Sequence, residues 1–110
     1  SDRLTPWEVI ETRLACAARG DFALALYNPS SKGRPDYLQK AVRILLANGK
    51  TPETVCGIVR NIGREGQEKR VLTLAELEKT QVDMFTTVFI GNAATRELAG
   101  RMVTPRGYKR

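Results

Sequence analysis

Two glycine-bearing, basic stretches of this 110-residue sequence carry the groups best suited to binding an anionic ligand. In residues 28–35, Lys32 and Arg34 flank a glycine, and in residues 60–67, Arg60 and Arg64 alternate with glycines. A guanidinium group binds a carboxylate or phosphate in a bidentate manner, and glycine-bearing loops expose backbone N–H groups. Neither stretch has the spacing G-x-x-x-x-G-K-[ST] or G-x-G-x-x-G, so the pattern alone predicts neither nucleotide-binding signature.

Side chains for covalent catalysis are absent or poorly placed. The chain contains no histidine, which excludes from it a histidine-based triad, a histidine metal site and a histidine proton relay. Cys16 and Cys56 fall within apolar segments and are interpreted as core residues. The serines of residues 30–31 have no base near them in the sequence, and the carboxylates of Glu65 and Asp83 have no evident partner. The residues alone therefore indicate an anion-binding domain without indicating a reaction.

The charge balance leaves more than one class of partner open. The chain has 18 basic and 12 acidic residues, a formal net charge of +6, which attracts polyanions. It has only one Trp, three Tyr and three Phe, and they are not interleaved with the basic residues as in a platform that stacks single-stranded nucleic acid. One hypothesis is a basic α/β module that binds nucleic acid or another polyanion. The other is an enzyme domain whose ligand carries several carboxylates or phosphates.

Helical and strand patterns alternate along most of the chain. A capping box, Thr5 with Glu8, opens a helix that ends before Gly20, and a second, Thr73 with Glu76, opens a short helix. The predicted elements, in order, are helix 6–19, strand 22–27, helix 36–48, strand 54–60, strand 69–72, helix 73–80, strand 84–90, helix 93–98 and strand 102–104. This alternation predicts one α/β domain over residues 1–110, with a mixed sheet of about five strands and flanking helices.

Loops at the ends of the strands are where a ligand is expected. In open α/β sheets, ligands bind beyond the carboxyl ends of the strands, and the loops after Tyr27, Arg60 and Ile90 follow buried strands. No window reaches about 18 consecutive apolar residues, so no membrane span is expected. No secretory signal opens the chain, which favours a cytoplasmic location. A first element that is a helix suggests that Ser1 lies at a domain boundary.

Five stretches of the sequence, in register, resemble the precorrin-3B C17-methyltransferases of the tetrapyrrole methyltransferase family. They are LTPWEVIE at residues 4–11, LYNPSSKGR at 26–34, GIVRN with GREGQ at 57–67, DMFTT at 83–87 and MVTPRGY at 102–108. The resemblance covers essentially the whole chain. It implies the C-terminal domain of a two-domain tetrapyrrole methyltransferase, whose N-terminal domain is absent from this chain.

The resemblance also implies a reaction and a cofactor. The expected reaction is S-adenosylmethionine-dependent methylation at C17 of precorrin-3B, or of its cobalt form, with ring contraction in cobalamin biosynthesis. The chain would supply half of the cofactor and substrate cleft and would be inactive alone. By matching position, the implied cofactor-binding residues are Tyr27, Asn28, Gly57, Ile58, Val59, Thr86 and Thr87. No catalytic residue and no resident metal are assigned.

The resemblance implies a role for the basic loops in substrate binding, because the implied tetrapyrrole substrate carries many carboxylates. The expected substrate-binding residues are Arg34, Arg60, Asn61, Arg64 and Arg106. The implied partners are the precorrin-type substrate, the N-terminal half of the same enzyme and a second subunit in a homodimer, with no nucleic acid and no membrane. The resemblance does not decide between a cobalt-containing and a metal-free substrate.

Overall fold

The computed structural model describes residues 6–27, 36–63, 65–83 and 85–105. The helices are α1 (Trp7–Arg19), α2 (Tyr37–Ala47) and α3 (Leu74–Glu78). The strands are β1 (Leu24–Tyr27), β2 (Val55–Arg60), β3 (Glu68–Thr73), β4 (Thr86–Ile90), β5 (Arg96–Leu98) and β6 (Arg101–Val103). None of the helices in these ranges is long and apolar enough to cross a membrane. The predicted α/β class is confirmed.

The sheet differs from the predicted mixed sheet of five strands. Four strands form one sheet in the order β1-β4-β2-β3, and β5 and β6 form a separate hairpin. Every pairing in the four-stranded sheet is antiparallel. The apolar runs of the sequence predicted strands buried on both faces, whereas the helices cover only one face of this sheet. Such runs also do not indicate the direction of neighbouring strands. The positions of the strands could therefore be predicted from the sequence, whereas their relative directions could not.

The helices cover one face of the four-stranded sheet. Alternate strand residues point to this face, and Cys56, Val88 and Ile90 are completely buried there. Opposite them pack the apolar sides of α2 and α3, which contribute Leu38, Ala41, Val42, Leu45, Leu74 and Leu77, all with no exposed surface. Burying these side chains is the main favourable contribution to the stability of the domain.

The helix starts were predicted with mixed success. The capping box of α3 is confirmed, since the Thr73 hydroxyl accepts the Glu76 N–H at 3.2 Å and the Glu76 carboxylate accepts the Thr73 N–H at 2.8 Å. The hydrogen bond from the Thr73 N–H lowers the pKa of the Glu76 carboxyl group. At α1, Thr5 lies outside the described residues. Pro6 is the N-cap, with extended backbone angles, and Trp7 rather than Pro6 is the first helical residue.

The predicted helix over residues 93–98 is wrong. Asn92 accepts the N–H of Ala94 on its side chain, and the Thr95 hydroxyl accepts the N–H of Asn92, which together close a tight turn. After it, β5 pairs with β6 through the two-residue turn Ala99-Gly100, where both residues have positive φ. Such a turn has the twist that an antiparallel hairpin needs. The hairpin therefore replaces the helix.

Candidate functional site

The end of β1, the end of β2 and the start of β4 meet at one edge of the sheet. Tyr27 lies opposite Thr87, and Arg60 lies opposite Thr86. The loops that follow Tyr27 and Arg60 therefore begin at this same edge, on either side of the start of β4. The loop after Ile90 does not join them, because β4 runs antiparallel to β1 and β2 and ends at the other edge. The expectation that all three loops gather is corrected by this strand direction.

A buried lysine holds that other edge together. The side chain of Lys50 is 1% exposed, and its Nζ donates to the carbonyl of Gly91 at 2.8 Å and lies 3.9 Å from the Asp21 carboxylate. Asp21 also accepts the N–H of Ala93 at 3.0 Å. Burial lowers the pKa of Lys50, partly offset by the nearby charge of Asp21. These contacts connect the segments that follow α1, α2 and β4, so the residues at this edge stabilise the fold.

A groove lies on the face of the sheet that the helices leave uncovered. The β5–β6 hairpin forms its other wall, and its volume is about 1030 Å³. By register, Ala25, Phe89, Gly57 and Val71 lie in one row across its floor. The full lining is Ala23, Leu24, Ala25, Gly57, Ile58, Val59, Lys69, Arg70, Val71, Phe89, Ile90, Ala99, Gly100, Arg101, Met102 and Thr104. The groove is thus mostly apolar, with cations at its border.

Gly57 lies at the centre of this floor. A Cβ atom at this position would lie 3.3 Å from the Sδ of Met102 and 3.8 Å from the carbonyl oxygen of Arg70. Glycine therefore leaves a strip of bare backbone beneath the hairpin, and Met102 is the side chain that lies over it. A small apolar floor of this kind is typical of a binding site for a planar ligand.

The sheet divides the predicted cofactor residues between its two faces. Gly57, Val59, Thr87 and Tyr27 share the uncovered face, where Thr87 lies between Tyr27 and Val59 in the register. Tyr27 is 72% exposed and Thr87 is buried. The other two of the six described residues belong to the helix-covered face, since Ile58 packs against the core and Thr86 is buried at the edge. Asn28 lies outside the described residues.

Arg60 is held by two carboxylates. Its Nε donates to Asp83 at 2.5 Å, and its Nη1 donates to Glu68 at 3.4 Å. These contacts raise the pKa of Arg60 further, and the hydrogen bond from Arg60 lowers the pKa of Asp83. Arg60 belongs to the helix-covered face, opposite Thr86, so it does not project into the groove. Arg34, Arg64 and Arg106, the other arginines predicted to bind substrate, lie outside the described residues.

Asp83 organises this edge, although the sequence interpretation left it without a partner. Besides Arg60, its carboxylate accepts the Phe85 N–H and the Thr86 hydroxyl, both at 2.9 Å. Asn61, which was predicted to bind substrate, has a left-handed backbone with φ 58° and donates its N–H to the carbonyl of Phe85 at 3.0 Å. Asp83 and Asn61 together fix the start of β4 to the end of β2.

Most of the groove residues were not among the predicted site residues, and three of these matter for binding: Lys69, Arg101 and Met102. Lys69 lies opposite Val59 and so faces the groove, and Arg101 borders it from the hairpin. Within the described part of the chain, the side chains of Lys69 and Arg101 make no ion pair or hydrogen bond, in contrast to Arg60. Met102 belongs to the MVTPRGY motif that carries part of the resemblance. Its position at the groove follows from the β5–β6 hairpin, which was not predicted.

Neither cysteine is suited to act as a nucleophile at the groove. Cys56 is buried on the helix-covered face, and burial raises the pKa of its thiol to about 12, so the thiol is neutral at pH 7. Cys16 was predicted to be a core residue but is exposed, because it lies two positions after the buried Leu14 and so on the opposite side of α1. Among the described residues, no group of three His, Cys, Asp or Glu could hold a metal ion.

Comparisons with known proteins place these features in a family. No family model matches the chain. It is 44% identical over 108 residues to the probable cobalt-factor III C(17)-methyltransferase of Salmonella typhimurium, covering 98% of this chain and 44% of that protein. It is 42% identical over 114 residues to the precorrin-3B C(17)-methyltransferase of Sinorhizobium sp, with the same coverage of this chain and 44% of that protein.

A solved structure agrees with the sequence relatives. The crystal structure of the methyltransferase CobJ superimposes with a TM-score of 0.82 at 39% identity, over 96% of this chain and 44% of that one. The chain thus spans somewhat less than half the length of these relatives. The aligned region covers nearly the whole chain, in the sequence and in the fold alike. Over nearly its whole length, the chain therefore matches one part of the cobalt-factor III and precorrin-3B C17-methyltransferases.

Proposed function

We propose that this chain is the C-terminal domain of an S-adenosylmethionine-dependent methyltransferase, in which it supplies one half of the cofactor and substrate cleft. The reaction is methylation at C17 of a precorrin-3-type macrocycle, with or without cobalt, accompanied by ring contraction. Relatives named for both substrates match the chain almost equally, at 44% and 42% identity, so the proposal covers both. The parent enzyme is proposed to be a cytoplasmic homodimer.

One observation carries the proposal: the bare backbone at Gly57 lies in the floor of an apolar groove that one hairpin covers only in part. The neighbouring floor residues are small or flat, with Ala25 and Phe89 in the same row. An adenine ring can lie on a surface of this kind, and any side chain at residue 57 would lift it off. The groove is open, as one half of a cleft between two domains would be.

The residues present fit the proposed cofactor. Gly57 and Val59 would hold its flat, apolar part, and Thr87 and Tyr27 lie on the same face toward the edge where β1 and β2 end. Ile58 and Thr86 would contribute only through their backbone, because their side chains belong to the other face. Asn28 stays a proposed contact from its sequence position. The bound cofactor would supply an activated methyl group on a sulfonium.

The reaction requires that the two reactants be held in position, and it does not require a nucleophilic side chain. In-line transfer of a methyl group to a ring carbon is accelerated mainly by holding the reacting atoms in line. A chain without histidine, whose one buried thiol is neutral, is suited to that role. Gly57 and its neighbours would hold one reactant. The other, a polycarboxylate, would be held by cations at the border of the groove.

Lys69 and Arg101 are proposed to take part in holding the substrate carboxylates. Both border the groove and neither is neutralised by a described partner. Arg34, Arg64, Arg106 and Asn61 remain proposed contacts from the sequence. Arg60 is proposed to act from the edge, with those of its N–H groups that Asp83 and Glu68 do not use. Lys79, which follows α3 and does not line the groove, is the matched control for a lost lysine.

The test is methyl transfer by the full-length enzyme that contains this chain. The enzyme is incubated with S-adenosylmethionine and either precorrin-3B or cobalt-factor III, and the tetrapyrrole is analysed by mass spectrometry. The expected result is a mass gain of one methyl group with one of the two substrates. Lys69→Ala and Arg60→Ala are expected to raise the apparent Kd of the substrate and leave cofactor affinity unchanged, while Lys79→Ala changes neither.

Two results would contradict the proposal. A folded full-length protein that transfers no methyl group to either substrate would remove the assigned reaction. If that protein were retained on heparin and bound nucleic acid, the alternative of a basic module for polyanions would replace it. Unchanged substrate binding in Lys69→Ala or in Arg60→Ala would show that this residue does not bind the substrate. The assigned reaction would still stand.

A further inference from the structure

The Met102 side chain lies directly on the backbone surface at Gly57. Its Sδ is 3.3 Å from the point where a Cβ of residue 57 would be, so the sulfur lies over the space that a side chain at this position would enter. Gly57 is buried even though the helices do not cover its face of the sheet. The hairpin provides that burial, since β6 packs on β2.

Met102 is the residue through which the hairpin strands rest on the sheet. All three residues of β5 are exposed, and in β6 Met102 is half-buried between two exposed neighbours. The root of the hairpin is fixed separately, by a 2.6 Å hydrogen bond between the hydroxyls of Thr95 and Thr104. The hairpin is thus fixed at its root, and its middle is held by one flexible apolar side chain.

This arrangement leaves no room for a ring on Gly57. A planar ring stacked on the backbone needs about 3.5 Å on each side for van der Waals contact. The Met102 thioether already lies in that space, because its Sδ is 3.3 Å from where a Cβ of residue 57 would be. A ligand that uses the bare backbone must therefore displace Met102 first.

We infer that Met102 covers the Gly57 surface in the free protein and must move off it before the cofactor binds. The inference rests on the proposed function, since it concerns the same groove. Methionine suits this task because its unbranched side chain has three rotatable bonds and repacks easily. A β-branched residue at this position would be stiff at χ1 and would free the surface only if the strand moved. Met102 thus limits the rate of cofactor entry and sets the fraction of protein that is ready to bind.

The test is the association rate of S-adenosylhomocysteine with the full-length enzyme, measured by surface plasmon resonance. Met102→Ala is expected to raise the association rate constant about threefold or more, because the ready fraction increases. Met102→Ile is expected to lower it by a similar factor. Met102→Leu, which keeps the volume and most of the flexibility, is the control and should stay within about twofold of the wild type. Thermal unfolding of each variant checks that the fold is intact.

A second measurement needs no variant that perturbs the groove. The methyl group of Met102 is followed by NMR in the full-length enzyme with labelled methionine, where the signal that Met102→Leu removes is that of Met102. S-adenosylhomocysteine is expected to shift the Met102 signal at saturation. An unshifted signal, or an association rate that is the same in the alanine and isoleucine variants, would overturn the inference. Wild-type protein that binds no S-adenosylhomocysteine would instead overturn the proposed function, and this inference with it.

Discussion

The two faces of the four-stranded sheet are built from the same strands and serve different ends. On the helix-covered face, Cys56 and Val88 have no exposed surface. On the other face, their chain neighbours Gly57 and Phe89 form the floor of an open groove. One face has large side chains packed against helices, and the other has small or flat ones beneath a single hairpin.

Under the proposed function, this difference separates residues that stabilise the fold from residues that bind the ligand. A residue on the covered face loses packing when it is shortened, whereas a residue on the groove face loses little packing but changes the surface that a ligand meets. Because side chains alternate along a strand, moving by one residue exchanges one role for the other. Substitutions at adjacent positions of β2 and β4 can therefore test the division.

The largest effect is expected at Gly57. In the full-length enzyme, Gly57→Val should weaken binding of S-adenosylhomocysteine on the order of 100-fold, or about 2.7 kcal/mol, because the side chain would stand where the ring lies. Gly57→Ala should fall between the wild type and Gly57→Val. The stability of both variants should change little, since the flexible tip of Met102 can yield. Calorimetry and urea unfolding measure the two quantities; a large loss of stability with unchanged affinity would reverse the roles assigned to the faces.

A matched pair of valines tests the covered face. Val88→Ala removes completely buried methyl groups and should lower the free energy of unfolding by about 1–3 kcal/mol. Val59→Ala, on the half-open groove face, should cost less than about 1 kcal/mol. Urea unfolding of the chain with each substitution gives the comparison. Equal losses would show that both faces contribute alike to stability.

A pH-dependent effect is expected at Asp83. Its pKa is lowered in the folded chain, chiefly by the hydrogen bond from Arg60, so its stabilising contribution is present above its ordinary pKa of 3.8 and is lost as the pH falls through the lower folded value. Asp83→Asn should therefore be less stable than the wild type at pH 6, and the gap should narrow toward pH 3. Urea unfolding across that range measures the gap. A gap that does not depend on pH would show that Asp83 does not stabilise the fold through its ionised carboxylate and the hydrogen bond from Arg60.

The smallest effect is expected for Glu68→Gln. This carboxylate contacts Arg60 at 3.4 Å, and its side chain is 71% exposed, so solvent screens the pair. No measurable change in unfolding or in affinity for S-adenosylhomocysteine is expected. The variant is the matched control for Asp83→Asn, because both remove a carboxylate partner of the same arginine. A clear loss of stability in Glu68→Gln would mean that the edge depends on both partners.

Much of the fold could be predicted from the sequence because its signals are local. The period of the apolar residues predicted α1 and α2, and the spacing of Thr73 and Glu76 predicted the start of α3. Strand directions could not be predicted, since they depend on which strands lie side by side. The β5–β6 hairpin was missed because its turn includes Ala99 in a positive-φ conformation, which the residue type does not signal.

The site was predictable only in part, for the same reason. The resemblance selected Gly57, and the structure shows a bare backbone there beneath Met102. The resemblance did not show that Arg60 and Ile58 lie on the other face from Gly57, which follows from the register. It also did not place Met102, Lys69 and Arg101 around the groove, because that depends on contacts between residues distant in the sequence.

The central claim is that the groove is half of a cofactor cleft. It is tested most directly by calorimetric titration of S-adenosylhomocysteine into the full-length enzyme and, in parallel, into the 110-residue chain. The claim predicts saturable binding by the full-length enzyme and little or none by the chain, because one wall of the cleft is then missing. Absence of binding by the folded full-length enzyme, or equally tight binding by the chain alone, would contradict it.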